Sequence, residues 1–294
     1  MKRWMVMMIL MLCSAMISSA AVKVVTSLPD FADFVRHIGG DKVSVDYIVR
    51  ANQNPHFVEV KPSYMMKLKS ADIFFIVGMD LEMWAPQLVD GSRNDKLVVV
   101  DLSAGIKKLE VPAKVDASLG DVHRFGNPHY WLDPRNARVI VEEMITALAR
   151  VSPADEPTFR ANGEAYLKQL DGKIAGWQVE MKPFVGAKIV TFHKSWSYFA
   201  DWLGLSVVDQ VEPKPGIAPS PAHTAELIQM MRSSKIKAIV VEPFYDLGAP
   251  QQIGRATGAS VLTMPTSSGG VDGVSDYIGL LDYDVRALAN GLRQ

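Results

Sequence analysis

The chain has 294 residues, of which 48% are hydrophobic and 21% are charged. Lysine and arginine number 31 against 32 acidic residues, so the formal net charge of -1 offers no electrostatic case for binding nucleic acid or an anionic membrane surface. A chain of this length exceeds what one hydrophobic core usually serves, and we therefore expect two domains.

Residues 1–21 have the pattern of a secretory signal peptide. Two basic residues precede an apolar run from Trp4 to Ile17, and small residues follow this run. The apolar run is shorter than the ~20 residues that a membrane-spanning helix needs. We therefore predict export to the periplasm, with cleavage near Ala20 or Ala21.

The single cysteine, Cys13, lies in this predicted leader. The mature chain would then contain neither disulfides nor thiolate ligands, even in an oxidising compartment. Any metal site must be built from histidine, aspartate and glutamate.

Short apolar, β-branched runs alternate with helical stretches along the rest of the chain. Strands of this kind with helices between them predict parallel sheets covered on both faces, which is the α/β class. The predicted strands are Val22–Ser27, Val43–Val49, Asp72–Val77, Leu97–Leu102, Lys188–Phe192, Leu205–Val211, Ala238–Glu242 and Ser260–Met264.

The stretch between the two sets of strands has no strand character. From Asp155 to Lys182, apolar residues recur mostly at three- and four-residue steps, which predicts a helix about 40 Å long. Three glycines within it weaken the helix by up to ~1 kcal/mol each. The predicted organisation is an N-terminal α/β metal-binding lobe at 22–154, a long connecting helix at 155–183 and a C-terminal α/β lobe at 184–294.

Three of the six histidines lie where an α/β protein places its ligands. His193 directly follows a predicted strand, at the carboxyl end where open sheets bind ligands. His56 and His129 each end an Asn-Pro-His tripeptide in a loop, and proline stiffens the turn that presents each imidazole. One such histidine alone is more often an ordinary loop or core residue, but the repeated motif favours a shared metal site.

The segments around these histidines resemble the zinc- and manganese-specific solute-binding proteins of bacterial ABC importers, the cluster A-I type. The resemblance rests on NPHFVEVKPS at His56, NPHYWLDP at His129 and FHKSWSYF at His193. It implies two α/β lobes joined by one long helix, with the metal held by these three histidines in the cleft between the lobes. It also implies a monomer that binds a free divalent metal in the periplasm and delivers it to a membrane permease.

The chain departs from the family pattern at the fourth ligand. Many relatives carry an aspartate after a late strand, whereas Pro265 stands at about that position here. Glu242 is the first candidate to replace this aspartate, Asp246 is the second, and a water molecule is the third. A surface acid, or an acid that only supports the ligands, is the competing interpretation for Glu242.

The chain also lacks the long histidine- and aspartate-rich loop that some zinc-binding relatives carry between the first two ligand motifs. The corresponding segment contains only His123, which either captures metal, caps the cleft or is an ordinary loop residue. His37 and His223 fall in predicted helices and receive no role.

Three neutral imidazoles with at most one carboxylate favour Zn²⁺ as the transported ion, although Mn²⁺ and other divalent transition metals are alternatives. Metal-bound histidines usually have hydrogen-bond partners that fix the ring tautomer. The local candidates for this role are Asn54, Asn127, Trp131 and Asp133.

Two other functional classes share the same three-histidine site. A zinc chaperone or adhesin of the same fold would differ only in its partner. A hydrolase would use three histidines and an open water position, but the mature chain contains no HExxH or GxSxG motif. The sequence therefore favours metal transport without catalysis.

Overall fold

The computed structural model describes residues 21–113, 123–214 and 216–294. Residues 1–20 of the predicted signal peptide lie outside the described residues. Over the described ranges, no helix is both long enough and apolar enough to cross a membrane.

The described strands form two parallel sheets of four strands each, which confirms the α/β class and the two lobes. The predicted strands all form, although each ends one or two residues earlier than predicted. The N-terminal sheet has the order β2-β1-β3-β4 and the C-terminal sheet the equivalent order β6-β5-β7-β8. The strands are β1 (Val22–Thr26), β2 (Val43–Tyr47), β3 (Ile73–Ile76), β4 (Val98–Asp101), β5 (Lys188–Thr191), β6 (Ser206–Gln210), β7 (Ala238–Val241) and β8 (Ser260–Thr263).

Helices cover both sheets, and several begin with proline in the first turn, where its missing N–H costs no hydrogen bond. His37 and His223 both lie in helices, as predicted. The helices are α1 (Pro29–Gly39), α2 (Pro62–Lys69), α3 (Ala85–Ser92), α4 (Ala137–Val151), α5 (Glu156–Met181), α6 (Ser197–Leu203), α7 (Pro221–Ser233), α8 (Gly248–Thr257) and α9 (Tyr277–Arg293).

Helix α5 is the predicted long connection between the lobes. Its 26 residues correspond to about 39 Å, close to the expected length. Gly163 allows a close approach to α4, because a Cβ atom at this position would lie 2.6 Å from Cδ1 of Ile145. Gly172 and Gly176 are exposed and have no such contact.

One continuous hydrophobic core includes residues from both lobes, and a smaller cluster lies between the C-terminal sheet and helices α7 and α8. Polar contacts add to this coupling. In α1, Asp30 Oδ1 accepts a hydrogen bond from Ser268 N at 2.9 Å, and Asp33 Oδ2 accepts one from Tyr277 N at 3.1 Å. The two lobes are therefore packed against each other beside the loop that follows β8.

Candidate metal centre

His56, His129 and His193 converge between the two lobes. One ring nitrogen from each lies within 4.8 Å of the others, and all three side chains are buried. His56 Nε2 and His129 Nε2 are 3.2 Å apart. This separation is close to the about 3.3 Å expected between two nitrogens bound at ~2.0–2.1 Å to one tetrahedral zinc ion. Among the described residues, these three form the one group of side chains that meets the geometric requirements for a metal ion.

The two Asn-Pro-His tripeptides fold in the same way. Asn54 Oδ1 accepts a hydrogen bond from His56 N, and Asn127 Oδ1 accepts one from His129 N, both at 3.0 Å. Each asparagine thus forms an Asx turn across the intervening proline. The repeated motif therefore places both histidines through the same local backbone geometry.

Asn127 also contacts the ring of its histidine. Its Oδ1 lies 3.0 Å from His129 Nδ1, which assigns the proton to Nδ1 and leaves Nε2 facing the other histidines. The amide Nδ2 of Asn127 donates to the carbonyl oxygen of Lys194 at 2.7 Å. Of the other predicted partners, Asp133 binds Arg135, and Trp131 donates to the carbonyl oxygen of Thr266. Asn127 thus links the ring of His129 to the backbone next to His193.

His193 is supported by a residue that the sequence analysis missed. Glu212 is buried and lies two residues beyond the end of β6, and its Oε1 contacts Nδ1 of His193. The one signal that could have indicated this contact is the position of Glu212 just after a strand. Strands β5 and β6 are adjacent, and their carboxyl ends lie at the same edge of the sheet. Nε2 is then the nitrogen of His193 that is available for a metal.

The environment keeps two of the histidines neutral. Burial lowers the pKa of His56 and of His129 well below the usual histidine value, and the neighbouring histidines lower it further. Both imidazoles are therefore unprotonated at neutral pH, which is the form that coordinates a metal.

Neither candidate carboxylate for the fourth position belongs to the group of converging nitrogens. Glu242 is fully buried, and its Oε1 accepts a hydrogen bond from Trp196 Nε1 at 3.1 Å. Burial raises the pKa of Glu242 to about 7. Asp246 is exposed and accepts a hydrogen bond from Gly248 N. The identity of the fourth ligand remains a prediction.

The loop at Pro265, where the family resemblance predicts an aspartate, packs between the two lobes. Thr266, Ser267 and Ser268 are buried in it, and two of them bind Trp131 and Asp30 through their backbone. This segment therefore contributes backbone groups to packing and no carboxylate to the site.

His123 lies closer to the site than an ordinary loop residue would. Its ring centroid is 5.0 Å from that of His56, with 30° between the ring planes. It does not belong to the three-histidine group. Its role remains a prediction, with metal capture, capping of the cleft and an ordinary loop position as the alternatives.

Comparison with known proteins gives consistent relationships over nearly the whole chain. The ZnuA family model, described as "Zinc-uptake complex component A periplasmic", matches residues 24–291. The iron-binding protein YfeA of Yersinia pestis is 28% identical, covering 92% of this chain and 86% of that protein. The manganese-binding lipoprotein MntA of Halalkalibacterium halodurans is 26% identical, covering 93% of this chain and 89% of that protein.

A solved structure has the same fold. The crystal structure of a ZnuA deletion mutant with zinc bound aligns with a TM-score of 0.80 and 25% identity, covering 92% of this chain and 98% of that one. The family match, this structural similarity and the converging histidines agree. The chain belongs to the ZnuA family, the metal-binding solute-binding proteins of ABC transporters.

Proposed function

We propose that the chain captures a divalent transition metal, Zn²⁺ by preference, with His56, His129 and His193, and delivers it to the permease of an ABC importer in the inner membrane. The observation that carries this proposal is the convergence of three buried imidazoles from two lobes. Glu242 remains our first candidate for the fourth position, with Asp246 or a water molecule as alternatives.

The choice of zinc rests on the donor set. Imidazole nitrogens suit zinc, copper, iron and nickel, whereas manganese favours more oxygen ligands. One of the two relatives described above is named for manganese and the other for iron, and one similar structure contains zinc, so family membership supports a divalent metal without selecting one. The three nitrogens favour zinc over manganese.

The surroundings of His56 support metal exchange with solvent. His56 borders a surface cavity together with exposed Phe57 and Met83. We infer that the metal enters along this side. We also infer that the protein is a periplasmic monomer, exported by the predicted signal peptide.

Zinc binding by single-site variants tests the proposal. Competition with a chromogenic chelator should give one tight site per wild-type chain and a loss of affinity for His56→Ala, His129→Ala and His193→Ala. We expect each loss to exceed the about 10- to 100-fold typical of residues that only support a ligand. His37→Ala is the matched control, because His37 is half-exposed on α1 and outside the group. Wild-type affinity in all three variants would contradict the proposed site.

The alternative functions require separate measurements. Zinc-dependent turnover of an ester or of carbon dioxide by the purified protein would favour a hydrolase. A zinc chaperone or adhesin would be favoured if a strain without the importer still needed this protein for growth in low zinc. Transport predicts no turnover, and a growth defect that appears only when the importer is present.

A further inference from the structure

We propose that Glu212 is a positioning residue of the metal site, which fixes the tautomer and orientation of His193 so that Nε2 faces the metal. This inference rests on the proposed function, because it assigns a role within the same site. It concerns a residue of the C-terminal lobe that coordinates no metal itself.

Each carboxylate oxygen of Glu212 has its own partner. Oε1 contacts Nδ1 of His193, and Oε2 accepts a hydrogen bond from Gly216 N at 3.1 Å. The side chains of Glu212 and His193 are both buried, with relative exposures of 4% and 6%. Water therefore competes little with the carboxylate for the imidazole N–H.

The local backbone holds this carboxylate in place. Glu212 N donates to the carbonyl oxygen of Phe192, the residue before His193, at 3.2 Å. Gly216 has a φ of +78°, a left-handed conformation that favours glycine, and this conformation presents its N–H to Oε2. Glu212 is thus anchored at both its backbone and its side chain, and turning the carboxylate away from His193 would break the hydrogen bond from Gly216 N.

The chemistry of the pair differs from that at His129. Asn127 offers a neutral amide oxygen to His129, whereas Glu212 offers a charged oxygen to His193. A carboxylate partner makes the metal-bound imidazole more basic and adds negative charge next to a divalent cation. Glu212 should therefore strengthen the bond from His193 to the metal as well as orient the ring.

The tautomer of His193 can be measured on the metal-free protein. Long-range ¹H–¹⁵N correlation spectra of imidazole nitrogens, assigned with His193→Ala, should show the wild-type proton on Nδ1 of His193. Glu212→Ala should lose this single tautomer. Glu212→Gln keeps an acceptor oxygen and should retain it. Glu226→Gln, on the exposed face of α7, is the matched control for loss of a glutamate charge. An unchanged His193 tautomer in Glu212→Ala would overturn the proposal.

Zinc affinity provides the second readout. We expect Glu212→Ala to bind zinc about 10- to 100-fold more weakly than wild type, and Glu212→Gln to fall between the two. If Glu212→Ala does not fold, wild-type affinity in Glu212→Gln overturns the contribution of charge. A changed tautomer with wild-type zinc affinity in Glu212→Ala would overturn the role in binding. A wild type that binds no metal would instead contradict the proposed function, while the metal-free spectra would still decide whether Glu212 positions His193.

Discussion

The two lobes hold their histidines with different chemistry. The N-terminal lobe supplies His56 and His129 from Asn-Pro-His turns, in which the supporting groups are neutral amides. The C-terminal lobe supplies His193 at the end of β5, next to the buried carboxyl groups of Glu212 and Glu242. The first lobe therefore contributes a pair of nitrogens from stiffened turns, and the second contributes carboxyl groups.

This difference matters because a divalent cation loses its hydration shell when it enters a buried site. Three imidazole ligands would leave the charge of a bound ion uncompensated, and a buried charge needs compensation nearby. The carboxyl group of Glu212, in contact with His193, is placed to provide it. A metal held between the lobes would thus be positioned by the histidine pair of the N-terminal lobe, and its charge would be compensated by the C-terminal lobe.

Among the residues that support the histidines, the largest effect that we expect within the N-terminal lobe is from Asn127→Ala. This substitution removes the acceptor for His129 Nδ1 and the donor to the carbonyl oxygen of Lys194. Zinc affinity should fall about 10- to 100-fold, measured by chelator competition. Asn54→Ala is the matched control, because Asn54 forms the equivalent turn at His56 N but bonds Tyr245 in place of Lys194. Equal losses in the two variants would contradict a special role for Asn127.

Much of the fold followed from the sequence because its signals are local. The eight strands were recognisable as apolar, β-branched runs, and the long helix α5 as a three- and four-residue periodicity. The three histidines were found because proline motifs and a strand end mark them. The strand ends were less accurate, because residues just past several strands, such as Leu102 and Phe192, are still buried apolar residues and still donate a backbone hydrogen bond to the neighbouring strand.

The supporting residues were harder to predict because their contacts are distant in the sequence. Glu212 lies 19 residues after His193 and reaches it only because β5 and β6 are adjacent. Asn127 was predicted because it is two residues from His129. Pro265 and its neighbours show the same limit, since their backbone contacts with α1 depend on how the two lobes pack.

A second comparison of the lobes concerns buried acids away from the histidines. In the N-terminal lobe, both oxygens of Glu82 accept hydrogen bonds from the backbone of Val77 and Gly78. On α9, which packs on β8, both oxygens of Asp284 lack a hydrogen-bond partner among the described residues. Burial raises the pKa of Asp284 well above its ordinary value, and Asp30 raises it further.

The raised pKa of Asp284 predicts a pH dependence of stability. The folded state binds the Asp284 proton more tightly than the unfolded state does. The stabilisation of the folded state by this proton is therefore complete below about pH 4 and is lost as pH rises towards the folded-state pKa of Asp284. Asp284→Asn should remove this loss, which is at most about 1.4 kcal/mol per pH unit. Denaturant unfolding from pH 5 to 8 measures it, with exposed Asp272→Asn as the control. Parallel pH profiles for Asp284→Asn and wild type would disprove the prediction.

The smallest expected effect is in the helix that joins the lobes. Gly172→Ala should raise the free energy of unfolding by up to about 1 kcal/mol, because the position is exposed and its added Cβ meets no atom within 4 Å. Gly163→Ala should gain less, since its Cβ would meet Ile145 of α4. Thermal unfolding measures both changes, and zinc affinity should not change in Gly172→Ala. A change in that affinity would mean that α5 itself sets the positions of the ligands. The contacts within the two lobes would then not be sufficient to explain how the histidines are held.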